Sequence, residues 1–227
     1  MPAARSFLFL GVVALSAGAC ASGHTIDYHS TVPTVSWHGS GAVALVVVDQ
    51  RPEIVDGRRH SNWVGNSRGG FGNPFEVTTA DGQSLSANLT QVMKRGLEKA
   101  GISVPLAVPA SGAEPELVRQ LAAAHASRAV VVKIAKWKSD SLVLTSLRYE
   151  LFANVTDDQG RLLGQSRTSG DEVMNENIYG VKDDLSRVYA RAVDALLNAP
   201  PFVRAIQPDA QPRSSAAARA AEPAAPR

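Results

Sequence analysis

Apolar and polar positions alternate along the chain in a few readable patterns. Phe7 to Leu15 (FLFLGVVAL) holds no polar residue. Ala42 to Asp49 (AVALVVVD) is a second continuous apolar run, closed by a charge. Its length and valine content predict a strand covered on both faces, hence central in a sheet. Thr34 to Trp37 reads as a short edge strand. Trp63-Val64 and Phe75 to Thr79 read as the arms of a hairpin around Gly65 to Gly72. Ser84 then caps a helix: Leu85, Leu89, Val92, Met93 and Leu97 form one apolar stripe, and Gly101 closes it. Ile102 to Pro105 predicts a short strand. Pro115 stands near the start of a second helix carrying Leu117, Val118 and Leu121. Ala129 to Lys138 is the next strand. From Leu142 to Thr156 the residues Leu147, Tyr149, Leu151, Ala153 and Val155 share one face. Asp157-Asp158-Gln159-Gly160 is a turn, and Arg161 to Asp171 pairs back as the third strand of a meander. Asp183 opens a last amphipathic helix with Leu185, Val188, Tyr189, Ala192 and Leu196, which Pro200 ends.

Three helices over one face of a mixed sheet make a two-layer α+β domain, with no internal repeat. Its expected limits are 34–198. Residues 20–33 carry no apolar period and read as a flexible tether. Residues 199–227 hold ten Ala and six Pro, too little apolar surface to offset chain entropy, and are expected to be a disordered tail. The 227 residues suit one domain with tails, and 44% hydrophobic content supports a packed core.

The N-terminus carries an address. Arg5 precedes the apolar run, and Ser16-Ala17-Gly18-Ala19 follow it, so 1–19 read as a signal peptide. The uncharged stretch Ser6–Ala19 is shorter than the roughly 20 residues a membrane span needs. Cys20 is the sole cysteine and cannot form an internal disulfide. Leu15 to Cys20 is similar to a bacterial lipobox, except that Ala17 stands where leucine is usual. That pattern implies acylation of Cys20, palmitate among its chains, and a lipid anchor. Ala21, in place of an aspartate, points to the periplasmic face of the outer membrane. Ordinary cleavage after Ala17-Gly18-Ala19 is the alternative and would leave a soluble periplasmic protein.

The run Ala44-Leu45-Val46-Val47-Val48-Asp49-Gln50-Arg51-Pro52 resembles the opening of the YajG-like family of bacterial lipoproteins. The order lipobox, strand ending in Asp-Gln-Arg-Pro, glycine-bearing loop, helix, Gly101-Ile102-Ser103-Val104 strand and hairpin also fits, over roughly 42–198. The longer Gly/Arg loop and the Ala/Pro tail depart from it. The resemblance implies an outer-membrane lipoprotein and this fold, without an activity.

The chemistry read from the residues is sparse. The histidines, His24, His29, His38, His60 and His125, have no metal-ligand spacing, so no metal site is expected. No nucleophile elbow or phosphate loop occurs, and the carboxylate pairs Asp157/Asp158 and Asp183/Asp184 suit a turn and a helix start. No catalytic residue, no cofactor and no enzymatic activity are expected. A net charge of +2 on an exported chain argues against nucleic acid.

The stretch 51–75 is the best candidate for binding. Four arginines, Arg51, Arg58, Arg59 and Arg68, interleave with Trp63, Phe71 and Phe75, a composition found at binding hot spots. Either these side chains meet a partner, or Trp63 and Phe75 pack under the loop while the arginines are solvated. Asp49 and Arg51 read most simply as a local ion pair that fixes the loop, with a ligand site at the strand end as the alternative. Lys136-Trp137-Lys138 places the indole on one sheet face and the lysines at a solvated edge. The expected function is a non-enzymatic binding or assembly module of the envelope. Its partners would be the membrane through acylated Cys20 and an envelope protein, lipid or glycan. A small-ligand, lipid-headgroup or glycan binder is the alternative.

Overall fold

A valine-rich run interspersed with lysines, Arg128–Ser141, forms the strand around which the sheet is assembled. The computed structural model describes residues 23–69, 71–111, 126–174 and 181–207. The expected signal peptide, Cys20, the helix expected near Leu117–Leu121 and most of the 199–227 stretch lie outside the described residues. Those described form strands β1 (Thr25–Ile26), β2 (Ala42–Asp49), β3 (Trp63–Arg68), β4 (Pro74–Thr79), β5 (Ser103–Ser111), β6 (Arg128–Ser141), β7 (Thr145–Asp157) and β8 (Leu162–Met174). Helices are α1 (Pro52–Val55), α2 (Leu85–Lys99), α3 (Val181–Leu197) and α4 (Pro200–Ile206). All eight strands belong to one mixed sheet, with the helices on it, so the α+β fold class is as expected.

β6 pairs antiparallel with β7 along its whole length, from Arg128↔Asp157 to Ser141↔Thr145. Its other edge is shared by two strands. β2 runs parallel to its first half, up to Asp49↔Ile134, and β3 runs parallel to its end, Gly65↔Ser139 to Ser67↔Ser141. The register against β7 slips between Ile134 and Lys136, leaving Ala135 as a bulge. The bulge changes which residues face the core: Val130, Val132 and Ile134 before it, Trp137 and Ser139 after it. Gly65 lets β3 approach, since a Cβ there would lie 2.1 Å from Ser139 Oγ.

One face of the sheet carries the main core. α2 buries its whole stripe, Leu85, Leu89, Val92, Met93 and Leu97, and Ser84 Oγ accepts from Ala87 N at 3.0 Å. Gly101, with φ +88°, ends that helix and leads into β5. α3 buries Leu185, Val188, Tyr189, Ala192 and Leu196 as its spacing predicts, starting two residues before Asp183. On the opposite face, Val46 and Val48 of β2 form a second small cluster. β2 is therefore covered on both faces. β7 is not: Arg148 on that outer face is exposed, while Leu147 and Tyr149 are buried. The turn at Gly160 (φ +79°) closes the β7–β8 hairpin.

Both domain limits need correction. Ile26 and Tyr28 lie in the core, so folding starts before residue 34. Trp137 Nε1 donates to Tyr28 Oη at 3.0 Å, and both rings pack on Tyr189. Burial pushes the Tyr28 and Tyr189 phenols above their ordinary range. Thr34–Trp37 is not a strand. Its polar groups are met by the end of α3: Thr34 N donates to the Asp194 carboxylate and Ser36 N to Asn198 Oδ1, each at 2.8 Å. Trp37 Nε1 likewise donates to Leu197 O at 2.8 Å. At the other limit, Pro200 ends α3 and also opens α4, where proline's missing N–H costs nothing. Phe202 and Ile206 of α4 are buried, which an Ala/Pro count conceals.

Phe202→Ala is expected to cost about 3–5 kcal/mol in urea unfolding, the loss typical of a buried aromatic. A solvated tail would give no change.

Candidate functional site

The edge of β6 left between β2 and β3 sets the geometry of the predicted site. Strand pairing there covers β6 up to Ile134 and again from Ser139. The Arg51 side chain enters this gap. Its Nη1 donates to Trp63 O at 2.6 Å and to Trp137 O at 3.3 Å. Its Nη2 donates to Ser61 O at 3.3 Å and to Asp49 Oδ2 at 2.7 Å, and its Nε donates to Asp49 Oδ1 at 2.8 Å. A guanidinium has five N–H groups, and all five are used. Arg51 is 1% exposed and Asp49 2%. The Trp63 ring closes the site, with Arg51 Cζ 6.0 Å, Arg59 Cζ 5.5 Å and Lys138 Nζ 5.9 Å from its centroid.

The ion-pair reading of Asp49 and Arg51 is the one the geometry supports. A ligand site at the end of β2 is corrected: no donor of Arg51 remains, and the strand end is filled. Trp63 is buried too, so it cannot meet a partner directly. The remaining candidates reach the surface, where most are occupied. Arg58 pairs with Asp56 at 3.0 Å, and Arg59 pairs with Glu76. Arg68 binds Asp140 of β6 through two bonds, 2.8 and 2.7 Å. Phe71, at the tip of the β3–β4 hairpin, is 98% exposed. Lys136 and Lys138 lie on the solvated face of a central strand, not at a sheet edge, with Trp137 buried between them.

Sequence reasoning missed a neighbouring feature. The turn between β6 and β7 exposes Leu142 (59%), Val143 (87%) and Leu144 (50%). Three successive apolar residues were the available signal, but they read as the start of the following strand. Behind this turn, two clefts of about 340 Å³ each open on the outer sheet face and meet at Lys138 and Arg148. Most acids lining the clefts and a larger groove along α3 are ion-paired: Asp140 with Arg68, Glu53 with Lys138, Glu172 with Arg191 and Asp184 with Arg187, while Asp194 in the groove accepts from Thr34 N. Among the described residues no group of three or more His, Cys, Asp or Glu is placed to hold a metal ion. Among them, too, no helix is long and apolar enough to cross a membrane.

No protein-family model and no curated protein matches the chain. Solved structures do. The protein XCC0632 from Xanthomonas campestris, of family DUF330, is 15% identical, with 79% of this chain and 94% of that one covered at a TM-score of 0.50. At that identity the likeness shows the fold alone. PelC from Paraburkholderia phytofirmans, crystallised as a dodecamer, is 10% identical over 74% of this chain and 94% of its own, at a TM-score of 0.38. Lipoprotein GNA1162 from Neisseria meningitidis is 12% identical over 66% and 96%, at 0.28. The last two scores are too low to bear on this chain.

Two substitutions test the site. Asp49→Asn leaves the buried guanidinium without a counter-charge and is expected to cost about 3–5 kcal/mol in urea unfolding. Arg51→Lys should also destabilise, since an ammonium cannot span the same acceptors; an unchanged midpoint would refute the bridging role. The Arg68–Asp140 pair gives a pH signature. Hydrogen bonds from Arg68 hold the Asp140 carboxyl below its ordinary 3.8. A lowered folded-state value means the pair stabilises above the unfolded value and loses that effect as pH falls through the folded one. The urea-midpoint difference between wild type and Asp140→Ala should hold from neutral pH to about 5, then shrink on further acidification.

Proposed function

We propose that the chain is a lipid-anchored lipoprotein of the outer membrane, facing the periplasm, acylated on Cys20, and acting as a non-enzymatic binding or assembly module. The anchor reading rests on the apolar run 7–15, the small residues after it and the unpaired Cys20. The Asp49-Gln50-Arg51-Pro52 resemblance to YajG-like lipoproteins points the same way. One observation supports the non-enzymatic half. The acids lining the two clefts, Asp140 and Glu53, and the buried Asp49 are each paired with an arginine or a lysine, so none of these three is poised for proton transfer.

Binding then falls to the outer face of β6 and β7, where the two clefts meet at Lys138 and Arg148. The small-ligand alternative loses its proposed contacts, because Asp49 and Arg51 are inaccessible. Cell fractionation tests the anchor. Wild type should sediment with membranes and Cys20→Ala should move to the soluble periplasmic fraction. A Cys20→Ala protein that stays with membranes would sink the lipoprotein reading.

A further inference from the structure

β3 and β6 run parallel to one end of the sheet and both leave it through turns, 69–73 and 142–144. β7 starts at this end and β8 finishes there, with Thr145 opposite Met174. The side chains presented are apolar and exposed: Phe71 on one turn, Leu142, Val143 and Leu144 on the other, and Val173 beside them. The Arg68–Asp140 bonds tie the two turns together, so they form one rim. A clustered exposed apolar surface on a folded domain marks an interaction site.

The path of the chain says what lies against the rim. β1 runs parallel to β4, with Thr25 opposite Thr78, and β4 runs away from the rim, starting at Pro74. Followed backwards from Thr25, the chain therefore heads toward the rim. Thr78 N donates to His24 O at 3.0 Å, and a Cβ on Gly23 would lie 2.4 Å from Glu76 O. Cys20 precedes Gly23 by only three residues, which reach at most about 11 Å. No long tether separates this end of the sheet from the anchor, because Ile26 and Tyr28 are already fixed in the core.

We infer that this end of the sheet rests on the lipid bilayer, with Phe71 and the Leu142–Leu144 turn inserted at the boundary between headgroups and acyl chains. The inference rests on the reading that Cys20 is acylated, and adds to it an orientation and a second membrane contact. Arg68, Lys138 and Arg148 near the rim are matched by Asp140, Glu53 and Asp171, which among the described residues leaves Lys182 as a single cation outside a salt bridge against five exposed apolar side chains. Apolar insertion, not attraction to anionic lipid, is therefore the source of the contact.

The test uses the full chain, purified with its anchor and placed in phosphatidylethanolamine/phosphatidylcholine vesicles. Acylation blocks Cys20, so Phe71→Cys, Val143→Cys and Leu162→Cys each carry one free thiol for an environment-sensitive fluorophore. Leu162 is 55% exposed at the opposite end of the sheet and serves as the apolar control. Emission from positions 71 and 143 should rise several-fold on reconstitution and be quenched by brominated acyl chains, with no change when anionic lipid is added. Position 162 should stay water-like. Emission at 71 and 143 equal to that at 162 overturns the inference while leaving the anchor intact. Shielding at 71 and 143 without quenching by brominated lipid places a protein there and also overturns it. Uptake of the label by the wild-type chain shows a free Cys20 thiol, and overturns the anchor and the inference together.

Discussion

One edge of one strand has to serve two others, and a single guanidinium makes that workable. β2 and β3 lie end to end along β6, and the break between them falls where the chain detours through α1. Carbonyl groups at such a break face no strand, and buried carbonyls without donors are costly. Arg51 supplies donors to Ser61, Trp63 and Trp137 at once. Its charge is balanced by Asp49, two residues away, whose Oδ1 also accepts from Arg51 N. Gln50 N completes the β2–β6 ladder on Ile134 O, and Pro52 opens α1 where no N–H is needed. Each residue of the Asp-Gln-Arg-Pro run thus has a separate backbone task.

The consequences spread from that point. Fixing Trp63 O sets where β3 begins, and Gly65 then brings β3 against Ser139. That register puts Arg68 within reach of Asp140, which ties the β3–β4 tip to the β6–β7 turn. The bulge at Ala135 belongs to the same solution. By shifting the alternation it turns Trp137 inward, where its indole meets Tyr28 and secures the N-terminal segment. A buried ion pair is weak evidence for added stability, but here it determines which strands are neighbours.

Most of this fold was readable where periodicity was long. α2, α3, β2 and the β6–β8 meander declared themselves by stripes or alternation, and Ser84 and Gly101 marked the ends of α2. Short elements were not readable. β1 is two residues, and the burial of its segment depends on Ile26 pairing with Thr79 of β4 and on Tyr28 meeting Trp137, 109 residues away. α4 hid in an Ala/Pro-rich composition, because one Phe and one Ile suffice to dock a seven-residue helix. At the candidate site the exposure of the singled-out residues was not readable. Aromatics among arginines look alike whether they face water or support a loop, and only the strand pairing places Trp63 inside and Phe71 outside.

The same pairing extends to the surface. The charged side chains that reach the clefts are matched within the fold, so their interactions change little when another molecule arrives. The exposed side chains of two hairpin turns are apolar, and Arg68 and Asp140 hold those turns at a fixed separation. Burying such surface is favourable in any apolar medium and needs no partner of complementary shape. A rigid apolar rim at the end where the N-terminal segment enters the sheet suits a surface without a sequence of its own.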